Sequence, residues 1–154
     1  MQGRTYKQSQ SQRGVAMVEF AIALPLLLLL LLGIAEFGRM LYHYNNLLQA
    51  NRDAVRYLAG QAWNGNLGRV EITAVLEART KNLAVYGVPT PQSRAVVPGL
   101  TTADVQVSTV GTEHVQVRIS YLFQPVIGNG LPALIGNAIP LNFPLVATTV
   151  MRGL

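Results

Sequence analysis

The chain has 154 residues, no cysteine, 50% hydrophobic and 12% charged residues, and a mean hydropathy of +0.30. A soluble globular domain carries about 25% charged residues, so this composition argues against a purely soluble enzyme and against a disordered chain. The lack of cysteine excludes disulfides, thiol catalysis and cysteine-based zinc or iron–sulfur sites. The formal net charge of +5 invites a nucleic-acid reading, but Arg4, Lys7 and Arg13 fall in an acid-free stretch of the first fourteen residues. The nine basic residues beyond it face seven acidic ones, which leaves no basic stripe and no expected nucleic-acid partner.

Met1 to Gly14 is polar, basic and rich in Gln and Ser, the pattern of a disordered segment on the cytoplasmic side. Val15 to Ala35 follows as a candidate transmembrane helix of 21 residues, about 31 Å long at 1.5 Å per residue and matched to a bilayer core. The stretch from Phe20 to Ala35 has neither a charge nor a polar side chain. The Glu36-Phe37-Gly38-Arg39 exit does not resemble a small-residue cleavage site, so the span reads as a retained anchor rather than a cleaved secretory signal. The remainder of the chain is expected on the far side of the membrane.

Glu19 breaks the apolar pattern near the cytoplasmic end. A charge in the bilayer costs a few kcal/mol, so the carboxylate either snorkels outward or needs a cation. No Lys or Arg lies within a helical turn. A new α-amino group at Val15 would lie one turn away in the same chain, and a neighbouring chain could supply the same amine. Pro25 removes a backbone hydrogen bond and predicts a kink, either as a fixed bend or as a hinge.

The helix is expected to continue outside the membrane over residues 36–60. Phe37, Leu41, Tyr44, Leu48, Val55 and Leu58 form its apolar face, Arg39, His43, Asn46 and Arg56 lie opposite, and Gly60 is its C-cap. Phe37, Tyr42 and Tyr44 fall where an outer aromatic belt would sit; packing under the head is the equal alternative. Gln61 to Gly68 reads as a loop, Val70 to Val85 as a second helix, and Gly87 to Gly99 as a long connection marking a boundary inside the head.

The period then changes to two. Val105, Val107 and Thr109 precede a Gly111-Thr112 turn, and Val115, Val117, Ile119, Tyr121 and Phe123 follow, an antiparallel hairpin with one apolar face. Pro125 ends the second strand. After a loop with Gly128, Gly130, Pro132 and Gly136, a last strand runs from about Leu141 to Arg152, with Pro144 placing its start at an edge or bulge. The fold class is therefore α+β: a long N-terminal transmembrane helix extending into a small head, residues 61–154, with a second helix and a three-stranded antiparallel sheet.

Catalytic chemistry has little support. His43 and His114 are unpaired in any metal motif and read as exposed polar residues, and no serine sits in a nucleophile elbow. No cofactor is expected. Asp53 with Arg56, and Glu36 with Arg39, are spaced to pair on the helix surface.

Arg13-Gly14 followed by Val15-Ala16-Met17-Val18-Glu19-Phe20 and a long apolar helix resembles the type IV prepilin signal. The longer string to Asn51-Arg52-Asp53-Ala54-Val55-Arg56-Tyr57, with Leu24-Pro25 and the Glu36-Phe37-Gly38-Arg39 exit, resembles the TadE-like family of tight-adherence (Flp) pilus systems. The resemblance implies a minor pilin or pseudopilin, cut between Gly14 and Val15 by a prepilin peptidase, with Glu19 and Phe20 serving subunit assembly. It implies as partners the peptidase, other pilins and the Tad assembly machinery, with roles in pilus assembly, adherence and biofilm formation. The alternative is an uncleaved single-pass envelope protein with a ligand-binding head. An anchored enzyme has the least support.

Overall fold

The structure, a computed structural model, describes residues 11–126, 130, 131, 139, 140 and 142–154. One helix, α1, runs unbroken from Ser11 to Ala62, 52 residues through Pro25, which is about 78 Å at 1.5 Å per residue. Leucine and alanine dominate it, and both lose little freedom in a helix. The expected leader thus enters the helix at Ser11, while Met1 to Gln10 lie outside the described residues. Gly60 does not cap α1. The helix passes through it, and the Ala62 carbonyl is satisfied instead by the Glu71 N–H at 2.7 Å.

That bond belongs to a small antiparallel ribbon, β1 (Trp63–Asn64) with β2 (Arg69–Val70). The Asn64 side chain accepts from the Asn66 and Leu67 N–H groups, and Gly68 takes a left-handed φ of 61° that closes the turn. The second helix therefore starts later than the expected Val70. α2 spans Ala74–Tyr86, because Val70 is held in the ribbon and the Thr73 hydroxyl caps the Leu76 N–H at 3.2 Å. Gly87, at φ 75°, ends it as a left-handed C-cap.

A single-turn 3-10 helix at Thr102–Asp104 leads into β3 (Val105–Val110), which pairs with β4 (His114–Leu122) around the expected turn. Two-residue strands β5 (Gly130–Leu131) and β6 (Ile139–Pro140) pair with each other. β7 (Pro144–Arg152) completes a three-stranded antiparallel sheet of order β3-β4-β7. Pro144 is the first residue of this edge strand, where a missing N–H costs no ladder bond. Of the loop and strand residues expected before it, Gly128, Pro132, Gly136 and Leu141 lie outside the described residues.

The sheet presents Val105, Val115, Val117, Ile119, Tyr121, Leu145 and Ala147 to the core, where they meet Leu47, Ala54, Val55, Leu58 and Ala59 of α1 and Leu76, Ala84 and Val85 of α2. Gly87 to Gly99 is not a boundary. Val97 is fully buried, the Val96 N–H bonds the Val85 carbonyl, and the Tyr121 hydroxyl donates to the Pro98 carbonyl at 2.8 Å. The C-terminus is tied as well: the Gly153 N–H reaches the Glu113 carbonyl and the Leu154 N–H reaches the Ala59 carbonyl at 3.0 Å. A Cβ on Gly153 would lie 2.5 Å from the Val70 Cγ1. Gly153→Ala should therefore destabilise the head by about 1–3 kcal/mol through overpacking, read as a lowered midpoint in denaturant unfolding of the detergent-solubilised chain.

Candidate functional site

Two regions of α1 carry candidate function. The first is its N-terminal half. Gly14, Val15, Glu19 and Phe20 are all exposed, and Gly14, Val15, Val18, Glu19 and Ile22 line one shallow apolar depression. The i, i+4, i+7 spacing stacks Val15, Glu19 and Ile22 on a single face, so an amine at Val15 and the Glu19 carboxylate share a side of the helix. Among the described side chains, Glu19 makes no ion pair. Phe20 sits on an adjacent face, 60% exposed.

Thirteen large apolar side chains between Val15 and Ile34 are exposed. At about 1.5–3 kcal/mol for each, leaving them in water would cost on the order of 20 kcal/mol or more, which exceeds the whole stability of an ordinary domain. The helix over Gly14–Ala62 is long and apolar enough to cross a membrane, and none of its most apolar window is buried inside the protein.

The second region lies where the helix leaves that apolar half. The expected Glu36–Arg39 pair forms, at 2.9 Å, but not as a surface pair. Glu36 is only 6% exposed. Its Oε1 accepts from the Val126 N–H at 2.9 Å while Oε2 holds Arg39. Arg39 also donates to the Gln124 carbonyl, and its guanidinium lies 4.7 Å from the centre of the Phe123 ring. Two charged residues of the helix thus clamp the segment that follows β4. The contact combines charge-assisted hydrogen bonds with a cation–π interaction.

One turn further, His43 is buried rather than exposed as expected. Its ring packs edge-on against Tyr121 at 6.1 Å and Phe123 at 5.8 Å. Its Nδ1 has no hydrogen-bond partner among the described residues. Burial holds the imidazole below its ordinary value of 6.5; the Arg39 charge acts in the same direction and Glu36 opposes it. Burial likewise raises the Tyr121 phenol. His114, by contrast, is exposed at the far end of β4. Asn51, two turns beyond His43, is fully buried and donates to the Thr149 hydroxyl at 3.1 Å.

Other surface expectations divide. Phe37 and Tyr42 are exposed, 58% and 65%, whereas Tyr44 packs against the core. Asp53 and Arg56 make no ion pair, since both are exposed and the entropy of fixing two mobile side chains opposes so weak a contact. Among the described residues no group of three or more His, Asp or Glu could hold a metal ion.

The face of α1 that meets the head is therefore set by Glu36, Met40, His43, Leu47, Asn51, Ala54 and Leu58, at spacings of three and four. The expected apolar face was one residue out of step at its start, because Phe37 and Leu41 face outward. Extending the buried stripe backward from Leu58 would have found Glu36 and His43.

The low His43 pKa has a consequence for stability. Well above pH 6.5 both folded and unfolded chains carry neutral imidazole, and the group is silent. As pH falls through the unfolded value of 6.5, the unfolded chain binds a proton that the folded chain resists, so stability declines. The thermal midpoint of the solubilised chain should drop as pH falls through the unfolded value of 6.5, and His43→Phe should flatten that slope; a slope unchanged in the variant would refute the assignment.

Residues 14–56 match the family model described as TadE-like protein. No curated protein and no solved structure matches the chain. The match covers the apolar half of α1, the Glu36–Arg39 clamp and the first helical turns that enter the head. It does not extend to the sheet.

Proposed function

We propose that this chain, whose N-terminal helix is TadE-like over residues 14–56, is a minor pilin or pseudopilin that acts in assembly of a Flp/Tad-type pilus. The observation that carries the reading is the coincidence of that family match with a polar basic leader, a glycine at its end, an acid five residues later and an exposed apolar helix. In this reading residues 1–14 are a cytoplasmic leader removed by a prepilin peptidase between Gly14 and Val15. Residues 15–35 span the inner membrane, and the rest of α1 with the head stands in the periplasm. The partners are the peptidase, other pilins and the Tad machinery, and the biological roles are adherence and biofilm formation. The task is structural rather than catalytic.

The physics of assembly follows from the helix. A surface apolar on all sides is equally well solvated by lipid and by a bundle of similar helices, so transfer from one to the other costs little hydrophobic energy. Direction must then come from polar groups. Glu19 supplies one: its burial costs a few kcal/mol unless an amine stands opposite, and peptide cleavage creates that amine at Val15, in the same chain or a neighbour. Phe20 beside it offers a large apolar contact to the adjoining subunit. Pro25 gives the helix a place to bend during the transfer.

The mass of the chain extracted from the membranes of its native host tests the reading. A chain beginning at Val15 supports it. An intact leader, in a host with active prepilin peptidase, favours the alternative of an uncleaved anchored binding module. Glu19→Gln should still insert and fold yet assemble poorly, and normal piliation by that variant would contradict the role given to Glu19.

A further inference from the structure

We propose that the membrane-facing end of the head is itself a lipid-binding surface, seated among the phospholipids of the outer leaflet beside the helix exit. The inference rests on α1 crossing the bilayer but not on cleavage or pilus assembly.

The head has a defined polarity along the helix. Its far end lies near Ala59, where Leu154 bonds the helix and the Glu113–Arg152 pair sits at 3.1 Å. Its near end lies at Glu36 and Arg39, which hold Val126 and Gln124. β4 runs from one end to the other, with His114 at the far end and Leu122 at the near end. Leu122, Val126 and Phe143 all belong to a stretch, Ile119 to Met151, whose sequence contains no Asp, Glu, Lys, Arg or His; the charges that do lie toward this end are Asp104, just before β3, and the paired Glu36 and Arg39.

That end is also apolar at its surface. Leu122 is 53% exposed, Val126 76% and Phe143 40%. A soluble head would be expected to place polar side chains there. The surface is moreover continuous with the anchor: Leu29, Leu30 and Ile34 of the span form one wall of a groove of about 410 Å³, and Phe123 and Phe143 of the head form the other. Leu29 lies six residues before the end of the span, about 9 Å along the helix. Whatever solvates the span residues therefore also wets the exposed Phe143, with Phe123 buried behind it, and at that depth the medium is acyl chain. Exposed Phe37 and Tyr42 then fall at the level of the headgroups, where aromatic rings are favoured.

The test uses the full chain in phosphatidylcholine nanodiscs, with lipids brominated in the acyl chains as fluorescence quenchers. Native Trp63 stands at the far end of the head and is the internal reference for an unquenched site. In a Trp63→Phe background, Val126→Trp and separately Leu122→Trp report on the near end, and Ile34→Trp reports on the span. The expected result is that brominated lipid removes most of the emission of Val126→Trp and of Ile34→Trp while native Trp63 is unaffected. Quenching of Ile34→Trp with both head reporters unchanged would overturn the proposal and leave the anchor intact. If those unchanged head reporters are also shielded from aqueous acrylamide, a second protein copy covers the surface, which equally overturns it. An unquenched Ile34→Trp would remove the anchor and the proposal together.

Discussion

The arrangement of this protein depends on a single helix that has to satisfy two different solvents. From Phe20 to Ala35 every face of α1 is apolar, and none of its most apolar window is buried inside the protein. From Leu47 onward one face is fully buried by the protein's own sheet and second helix. The change takes place over Glu36 to His43, and charged and polar residues enforce it. Glu36 is buried, yet both carboxylate oxygens are engaged, by Arg39 and by the Val126 backbone. A buried ion pair adds little net stability when its desolvation cost is counted. Its contribution here is positional: an apolar contact could slide along a leucine-rich helix, but a carboxylate must find its guanidinium and its N–H.

With the exit fixed, the head follows from ordinary packing. The hairpin of β3 and β4 and the edge strand β7 offer one apolar face, and α1 and α2 cover it. Asn51 bonds Thr149 in the middle of this contact, a second polar register mark on the same helix stripe. The chain end closes the far side through Glu113 and Ala59, leaving no room at Gly153 for a side chain. The head is thus held on α1 at both ends, by charge near the membrane and by backbone hydrogen bonds away from it.

Much of this was legible in the sequence, for identifiable reasons. From Phe20 to Ala35 the span is an uninterrupted apolar run, and β4 is a strict alternation from Val115 to Tyr121; both signals are local and unopposed. The TadE-like resemblance rested on residues of the same helix and is matched over residues 14–56. What escaped was decided by tertiary contact. Val70 was expected to open the second helix but is captured by a ribbon with Trp63, delaying α2 to Ala74; the capping hydroxyl of Thr73 just before it was the available signal. Gly60 reads as a stop signal, yet the helix continues because its next turn lies against the head and Ala62 is buried. His43 and Glu36 read as solvent-facing because polarity normally means exposure. Here the partners that make burial tolerable, Phe123 and Val126, lie some eighty or more residues away in the chain.

The central claim is that the outer end of the anchor and the head move as one body because the Glu36–Arg39 clamp joins them. The chain has no native cysteine, so spin labels can be introduced cleanly with Leu31→Cys on the span and Ser120→Cys on the sheet. Electron–electron resonance in nanodiscs should give one narrow distance distribution, which broadens when Glu36→Ala is added. A broad distribution in the chain with Glu36 intact would contradict the account.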